Sequence, residues 1–288
     1  MSTTPGQSEP AKLIAPTSAP TGVRKLTDPE PEAVAPAESR PRGRRGGDGS
    51  KRGTADSGGL VVTDANGAPI QTVPHDVADA LRFFITRLNR ADVAGMPRTI
   101  AVTSALSGEG VTFTARSVAA IIAHDLGHSV CVMETNWWRA TQRSSRSARQ
   151  AAEPRPGLAE VLAGTVKLDD VLVRTSDERL FLLPAGQAPL SRRPVIAASD
   201  ALANLLSVLA DTFDTVIVDV PPVLKASEAL AICRRCDAAI LVIRHGVTTE
   251  RQVSEAIESL TDVHLLGTVF NRASTRIPRA LRRFTVPI

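Results

Sequence analysis

Thr103-Ser104-Ala105-Leu106-Ser107-Gly108-Glu109-Gly110-Val111-Thr112 stands between a short β-branched run, Thr99 to Thr103, and a helical pattern. Strand, glycine-rich turn and helix in that order spell a phosphate-binding loop. Its glycines bring backbone N–H groups to the phosphates, a Ser/Thr hydroxyl reaches Mg²⁺, and a lysine neutralises the β- and γ-phosphates. Gly108, Glu109, Gly110 and Thr112 fit that pattern. Position 111 does not, because a valine stands where the lysine belongs. Losing one such electrostatic stabiliser from a reaction centre typically costs a factor of about 10² to 10³ in rate. The stretch predicts a nucleotide-hydrolase fold with a damaged reaction centre.

Working outward, Val77, Leu81, Phe84, Ile85 and Leu88 form the stripe of an amphipathic helix ahead of the first strand, free to dock on its own domain or on a neighbour. Beyond the loop, Val118, Ile121 and Ile122 face inward on a helix that Gly127 ends. Strands are expected at Ser129 to Met133, Leu180 to Leu183, Val216 to Asp219, Ala238 to Ile243 and Leu265 to Phe270, apolar runs of the kind found in parallel strands covered on both faces. Helices are expected at Leu158 to Ala163, around Leu202, Leu205, Leu206 and Leu209, and around Val253, Ile257 and Leu260; Thr141 to Arg155 reads as a polar loop. The alternation predicts an α/β fold with a doubly wound, mostly parallel sheet and ligands at the carboxyl ends of its strands. Asp219 closes a strand and precedes Val220-Pro221-Pro222. That is where an acidic residue orients Mg²⁺ and its waters, although such a residue also caps turns.

Residues 1–73 are rich in Pro, Ala, Gly, Ser and Arg without a sustained period and read as a disordered arm, leaving one domain over 74–288 with a leading helix at 74–95 and a basic tail at 272–288. The net charge of +4 is concentrated in Arg40 to Arg52 and in Arg272, Arg276, Arg279, Arg282 and Arg283. Such clusters suit anionic lipid or nucleic acid through general electrostatics, or form a solvated, self-repelling tail; no feature selects a specific nucleic acid. No apolar run approaches the roughly 18 to 20 residues of a membrane span and the start lacks a signal-peptide core, which predicts a cytosolic protein. Three cysteines fit a reducing compartment, and Cys233-x-x-Cys236 reads as two helix-borne thiols more readily than as a metal or redox pair. The five histidines are scattered, so spacing suggests neither a metal site nor a triad.

The strand Val130 to Met133 runs into Glu134-Thr135-Asn136-Trp137-Trp138-Arg139. With the loop at 103–112, this segment resembles the bacterial tyrosine kinases of capsule and exopolysaccharide synthesis, whose P-loop domain is related to the ParA/MinD ATPases. The match continues through Gly157 to Gly164, Leu183-Pro184-Ala185-Gly186, Phe213 to Pro222 and Leu266 to Asn271, and covers roughly Asp76 to Asn271. The resemblance implies a ParA-like P-loop NTPase domain, ATP or ADP with Mg²⁺ as ligand, and a partner that is a membrane chain-length-determinant (polysaccharide co-polymerase) protein or a kinase paralogue, in homo- or hetero-oligomers.

The departures fall on catalytic positions. Val111 replaces the family's lysine, while Glu134 and Asn136 occupy the two aspartate places of its second acidic motif, and an asparagine can neither act as a base nor carry charge. Thr112 and Asp219 keep part of a Mg²⁺ site. The family's phosphoacceptor is a tyrosine-rich tail, whereas this chain has no tyrosine, so autophosphorylation on tyrosine is excluded. At the family's oligomerisation motif, Asp79 and Arg82 keep the character of the first two positions and Ile85 replaces the third. Trp137 and Trp138 beside the crevice are candidates for stacking on a base, for partner contact, or for packing over the emptied pocket.

Three readings follow: a non-catalytic, kinase-like regulator that works by binding; an Mg-ATP enzyme with slow ATPase or kinase turnover that uses Arg116 or Arg139 in place of the lysine; and a ParA/MinD-like positioning factor. The last lacks the signature lysine early in the loop, where Leu106 stands.

Overall fold

The computed structural model describes residues 59–65, 67–91, 95–137 and 155–273. Expectations for residues 1–58, for Trp138, Arg139 and the polar loop up to 154, and for the basic tail from 274 onward lie outside them. The main sheet has seven strands in the order β5-β6-β4-β7-β3-β8-β9. They are β3 (Thr99–Ser104), β4 (Val130–Glu134), β5 (Val173–Arg174), β6 (Leu180–Leu183), β7 (Thr215–Asp219), β8 (Ala238–Arg244) and β9 (Leu265–Asn271). All pairs are parallel except β5 with β6.

Side-chain alternation divides this sheet into two packed faces. Ile100, Val102, Val130, Val132, Ile217, Ile240 and Val242 point to one face, under α1 (His75–Ala91) and α2 (Val111–Leu126). Ala101, Cys131, Met133, Val216, Val218 and Leu241 point to the other, under helices that include Asp200–Thr212 and Ser227–Cys233. Each large aliphatic side chain so buried contributes about 1.5 to 3 kcal/mol relative to exposure. The second face also holds Cys233, whose thiol burial pushes up to about 12, and a thiol so raised is a poor nucleophile at neutral pH.

The structure corrects the arm boundary. Residues 60–73 form a hairpin of β1 (Leu60–Thr63) and β2 (Pro69–Val73), with Val62 and Val73 buried. Its turn is closed by Asp64, whose Oδ1 accepts from Ala68 N at 2.8 Å, and by Gly67 at φ 79°.

The leading helix docks on its own domain: Leu81, Ile85 and Leu88 are buried, and α1 packs beside α2. Asp79 and Arg82 sit on its exposed side in a charge ladder. His75 Nδ1 lies 2.8 Å from Asp79 Oδ2, Arg82 Nη1 lies 3.1 Å from Asp79 Oδ1, and Arg82 Nε donates to Asp125 Oδ2 at 2.7 Å. Burial alone would push the Asp125 carboxyl up, but hydrogen bonds from Arg82 and His124 outweigh it and hold the group below its usual range. A depressed folded-state pKa gives stability that is present above the unfolded value and lost as pH falls through the folded one. The difference in thermal midpoint between the wild-type chain and Asp125→Asn should therefore narrow as pH drops below about 4, the ordinary aspartate value. Thermal melts across pH 2 to 7 check this.

Candidate functional site

Three adjacent strands deliver the crevice. β7 lies between β3 and β4, with Asp219 in register with Val102 on one side and Glu134 on the other. The phosphate-binding loop leaves β3 at that level, so the loop, Asp219 and Glu134 converge at the carboxyl edge of the sheet. Thr112 Oγ1 donates to Asp219 Oδ2 at 2.5 Å, and both residues are buried. Thr135 binds the Asp219 carbonyl twice, through its N–H at 3.0 Å and its hydroxyl at 2.8 Å, which locks the ends of β4 and β7 together. Thr103 Oγ1 donates to Pro221 O at 2.8 Å and holds the Pro-Pro turn against β3.

The loop is closed on itself by Glu109, only 2% exposed. Its Oε2 accepts from Leu106 N at 2.8 Å, its Oε1 accepts from the Thr248 hydroxyl, and its backbone carbonyl accepts from Asn271 Nδ2 at 2.7 Å. Gly110 follows at φ 101°, a backbone conformation that residues with a side chain adopt only under strain, and a Cβ there would also displace the Asn271 amide that binds Glu109 O. Glu109→Ala strands the Leu106 N–H, while the Thr248 hydroxyl keeps Arg244 O at 3.3 Å, and should cost about 1 to 3 kcal/mol of stability. Urea denaturation of the variant measures that cost. The side chain of Glu109, a residue the sequence places in the phosphate loop, braces that loop from within.

Val111 opens α2 and is 7% exposed, in the same apolar cluster as Val62 and Val73 of the hairpin. The nearest charged side chain on α2 is already engaged. Arg116, one helical turn beyond Thr112, pairs with Glu134 through Nη2, donates to the same Oε1 from Nε at 3.2 Å, and donates from Nη1 to Ile70 O at 3.4 Å. Asn136 Oδ1 is buried and without a hydrogen-bond partner among the described residues.

Trp137 corrects the expectation of a partner-facing or pocket-plugging ring. It is 1% exposed, its Nε1 donates to Ala185 O at 2.9 Å, and it packs in the cluster on the sheet face opposite Val111. Trp138 lies outside the described residues. The motifs around Gly157 and Pro184 brace the same region. Leu158 N donates to Pro184 O at 2.8 Å, and Glu160 accepts from Gly157 N at 2.8 Å and from Gln187 N at 3.0 Å. A Cβ on Gly157 would meet Pro184 O at 2.2 Å, which explains a glycine there. Arg193, which sequence reasoning missed, is buried and donates to Ala188 O at 3.2 Å and Trp137 O at 3.3 Å. Nothing in its local sequence signals that role.

As a donor set, the paired hard oxygens of Thr112 and Asp219 suit Mg²⁺. Glycine φ values of 84° at Gly108 and 101° at Gly110 preserve the backbone form of a phosphate loop. The metal half of a nucleotide site fits these residues, and the half that neutralises the terminal phosphates does not.

Tyrosine-protein kinase CpsD of Streptococcus pneumoniae is 30% identical to this chain over 185 residues, which cover 63% of the chain and 79% of the relative. The chain belongs to this family of bacterial tyrosine-protein kinases. The solved kinase domain of the Escherichia coli tyrosine kinase ETK superposes with a TM-score of 0.59 at 27% identity, covering 74% of this chain and 82% of that one. Cobyrinic acid a,c-diamide synthase from Mycobacterium smegmatis, solved with ADP and magnesium, aligns with a TM-score of 0.51 at 25% identity over 63% of this chain and 77% of that one. No family model matches the chain.

Proposed function

We propose that this chain is a non-catalytic member of the CpsD-type kinase family, a regulator of capsule or exopolysaccharide synthesis or export that acts by binding. Its partner is a membrane co-polymerase of the chain-length-determinant type or an active kinase paralogue, in mixed or homo-oligomeric assemblies. The observation that carries this reading is the loss of the phosphate-neutralising cation: Val111 is buried in apolar surroundings, and Arg116 is committed to Glu134. Among the described residues no single helix is long and apolar enough to cross a membrane. We therefore place the chain in the cytoplasm, reaching the inner membrane face through its partner, with Arg276 to Arg283 of the basic tail adding peripheral contact. The exposed Asp79 and the half-buried Arg82 are the docking residues on α1.

Complementation of a deletion strain tests the reading. Asp219→Asn keeps the shape of the side chain and removes the charge that would hold a metal. Polysaccharide output should be rescued as fully by this variant as by the wild-type chain, while Asp79→Ala with Arg82→Ala should rescue poorly. Rescue by the wild type but not by folded Asp219→Asn would overturn the proposal. That outcome would favour the second reading, Mg-nucleotide binding with slow ATPase or kinase turnover, which the intact Thr112–Asp219 pair supports. The positioning-factor reading has no residue in its favour at Leu106.

A further inference from the structure

The hairpin Leu60–Val73 has two anchorages, and one of them is the helix that carries the phosphate loop. Gln71 Nε2 donates to Ser117 Oγ at 2.9 Å and to Phe113 O at 3.4 Å, so one side chain of β2 clasps the first two turns of α2. Beside it, Ile70 O accepts from Arg116, the same guanidinium that holds Glu134 at the crevice. Val62 and Val73 share an apolar cluster with Val111, Ala115 and Val118. The second anchorage is the margin of the main sheet, where Thr63 N donates to Ser176 Oγ at 3.1 Å, Ser176 N donates to Thr63 O at 2.8 Å, and Asp64 bridges Thr175.

A two-stranded hairpin is at best marginally stable on its own, so the order of this one depends on the surfaces it docks to. A unit of that kind can open at lower cost than the sheet. We propose that the hairpin is an intramolecular strap on the phosphate-loop helix, which fixes Val111, Arg116 and through it Glu134, and which loosens that part of the crevice when it lifts. Lifting removes the Ile70 carbonyl from Arg116 and the clasp from Phe113 and Ser117, and it opens the apolar cluster around Val111. The crevice then changes shape without any ligand in it. The inference rests on reading that crevice as a regulatory site, but its test uses neither nucleotide nor partner, so the two can fail separately.

Coupling through such a clasp must be reciprocal. Hydrogen–deuterium exchange of the full chain is compared for wild type, Gln71→Ala and Ser117→Ala. The first variant cuts the clasp from the hairpin side and the second from the helix side, where an alanine suits the helix. In each, the amides of 60–73 and those of 113–118 should exchange faster together, by roughly three- to tenfold for the loss of one or two hydrogen bonds. Amides of β7 and β8 should stay unchanged. Acceleration confined to the mutated segment, or none in either, would overturn the strap.

Discussion

Trp137→Ala should lower the free energy of unfolding by about 3 to 5 kcal/mol, the usual cost of deleting a fully buried tryptophan from a packed core. For a domain of this size the thermal midpoint should fall on the order of 10 °C. The indole sits against the sheet face that carries Met133 and Leu183 and anchors the Leu183-Pro184-Ala185-Gly186 turn through Ala185 O. Trp137→Phe keeps most of the volume and loses the N–H donor and part of the ring; because Ala185 O still accepts from Ala159 N at 3.1 Å, the cost should be smaller, about 1 to 3 kcal/mol. Calorimetry of the two variants separates packing from hydrogen bonding. A tryptophan used as a partner anchor would behave in the opposite way, with stability kept and binding lost.

Restoring the lysine should have the largest effect on ligand binding. Val111→Lys returns a cation to the first turn of α2, and titration with Mg-ATP should show at least a tenfold gain in affinity, about 1.4 kcal/mol. Phosphate transfer should stay at background in that variant, because Asn136 still provides no base and Arg116 remains on Glu134. Adding Asn136→Asp should raise phosphate release by a further factor of about 10² or more, the usual contribution of a positioned acid–base group. Residues that act as a unit are not additive, which is why the double variant and not the single one carries the rate.

The sheet was legible because its strands are unbroken apolar runs, and because parallel strands covered on both faces need no polar alternation. The crevice was legible for a related reason. A phosphate loop after β3 and an aspartate closing β7 are positional signals, and the register that sets Asp219 between Val102 and Glu134 follows once the strands pair. The hairpin was hidden by its neighbours in sequence. Residues 60–73 follow a Pro- and Arg-rich stretch, and the Asn66-Gly67 pair between Leu60-Val61-Val62 and Ile70 was the turn signal that could have found it. Sequence sets Trp137 beside the crevice, but adjacency along the chain says nothing about the direction in which its ring points. The tight turn in which Trp137 N donates to Thr135 O at 3.0 Å accompanies a ring buried on the far side of the sheet. Glu109 and Arg193 act through contacts with residues far away in sequence, Thr248 and Trp137, which no local pattern encodes.

The loss of phosphate transfer proposed for this kinase fold is tested most directly by the time course of phosphate release from Mg-ATP by the purified full chain, with Asp219→Asn alongside. The traces for the two proteins should coincide with the buffer blank. Release by the wild-type chain that Asp219→Asn abolishes would contradict it.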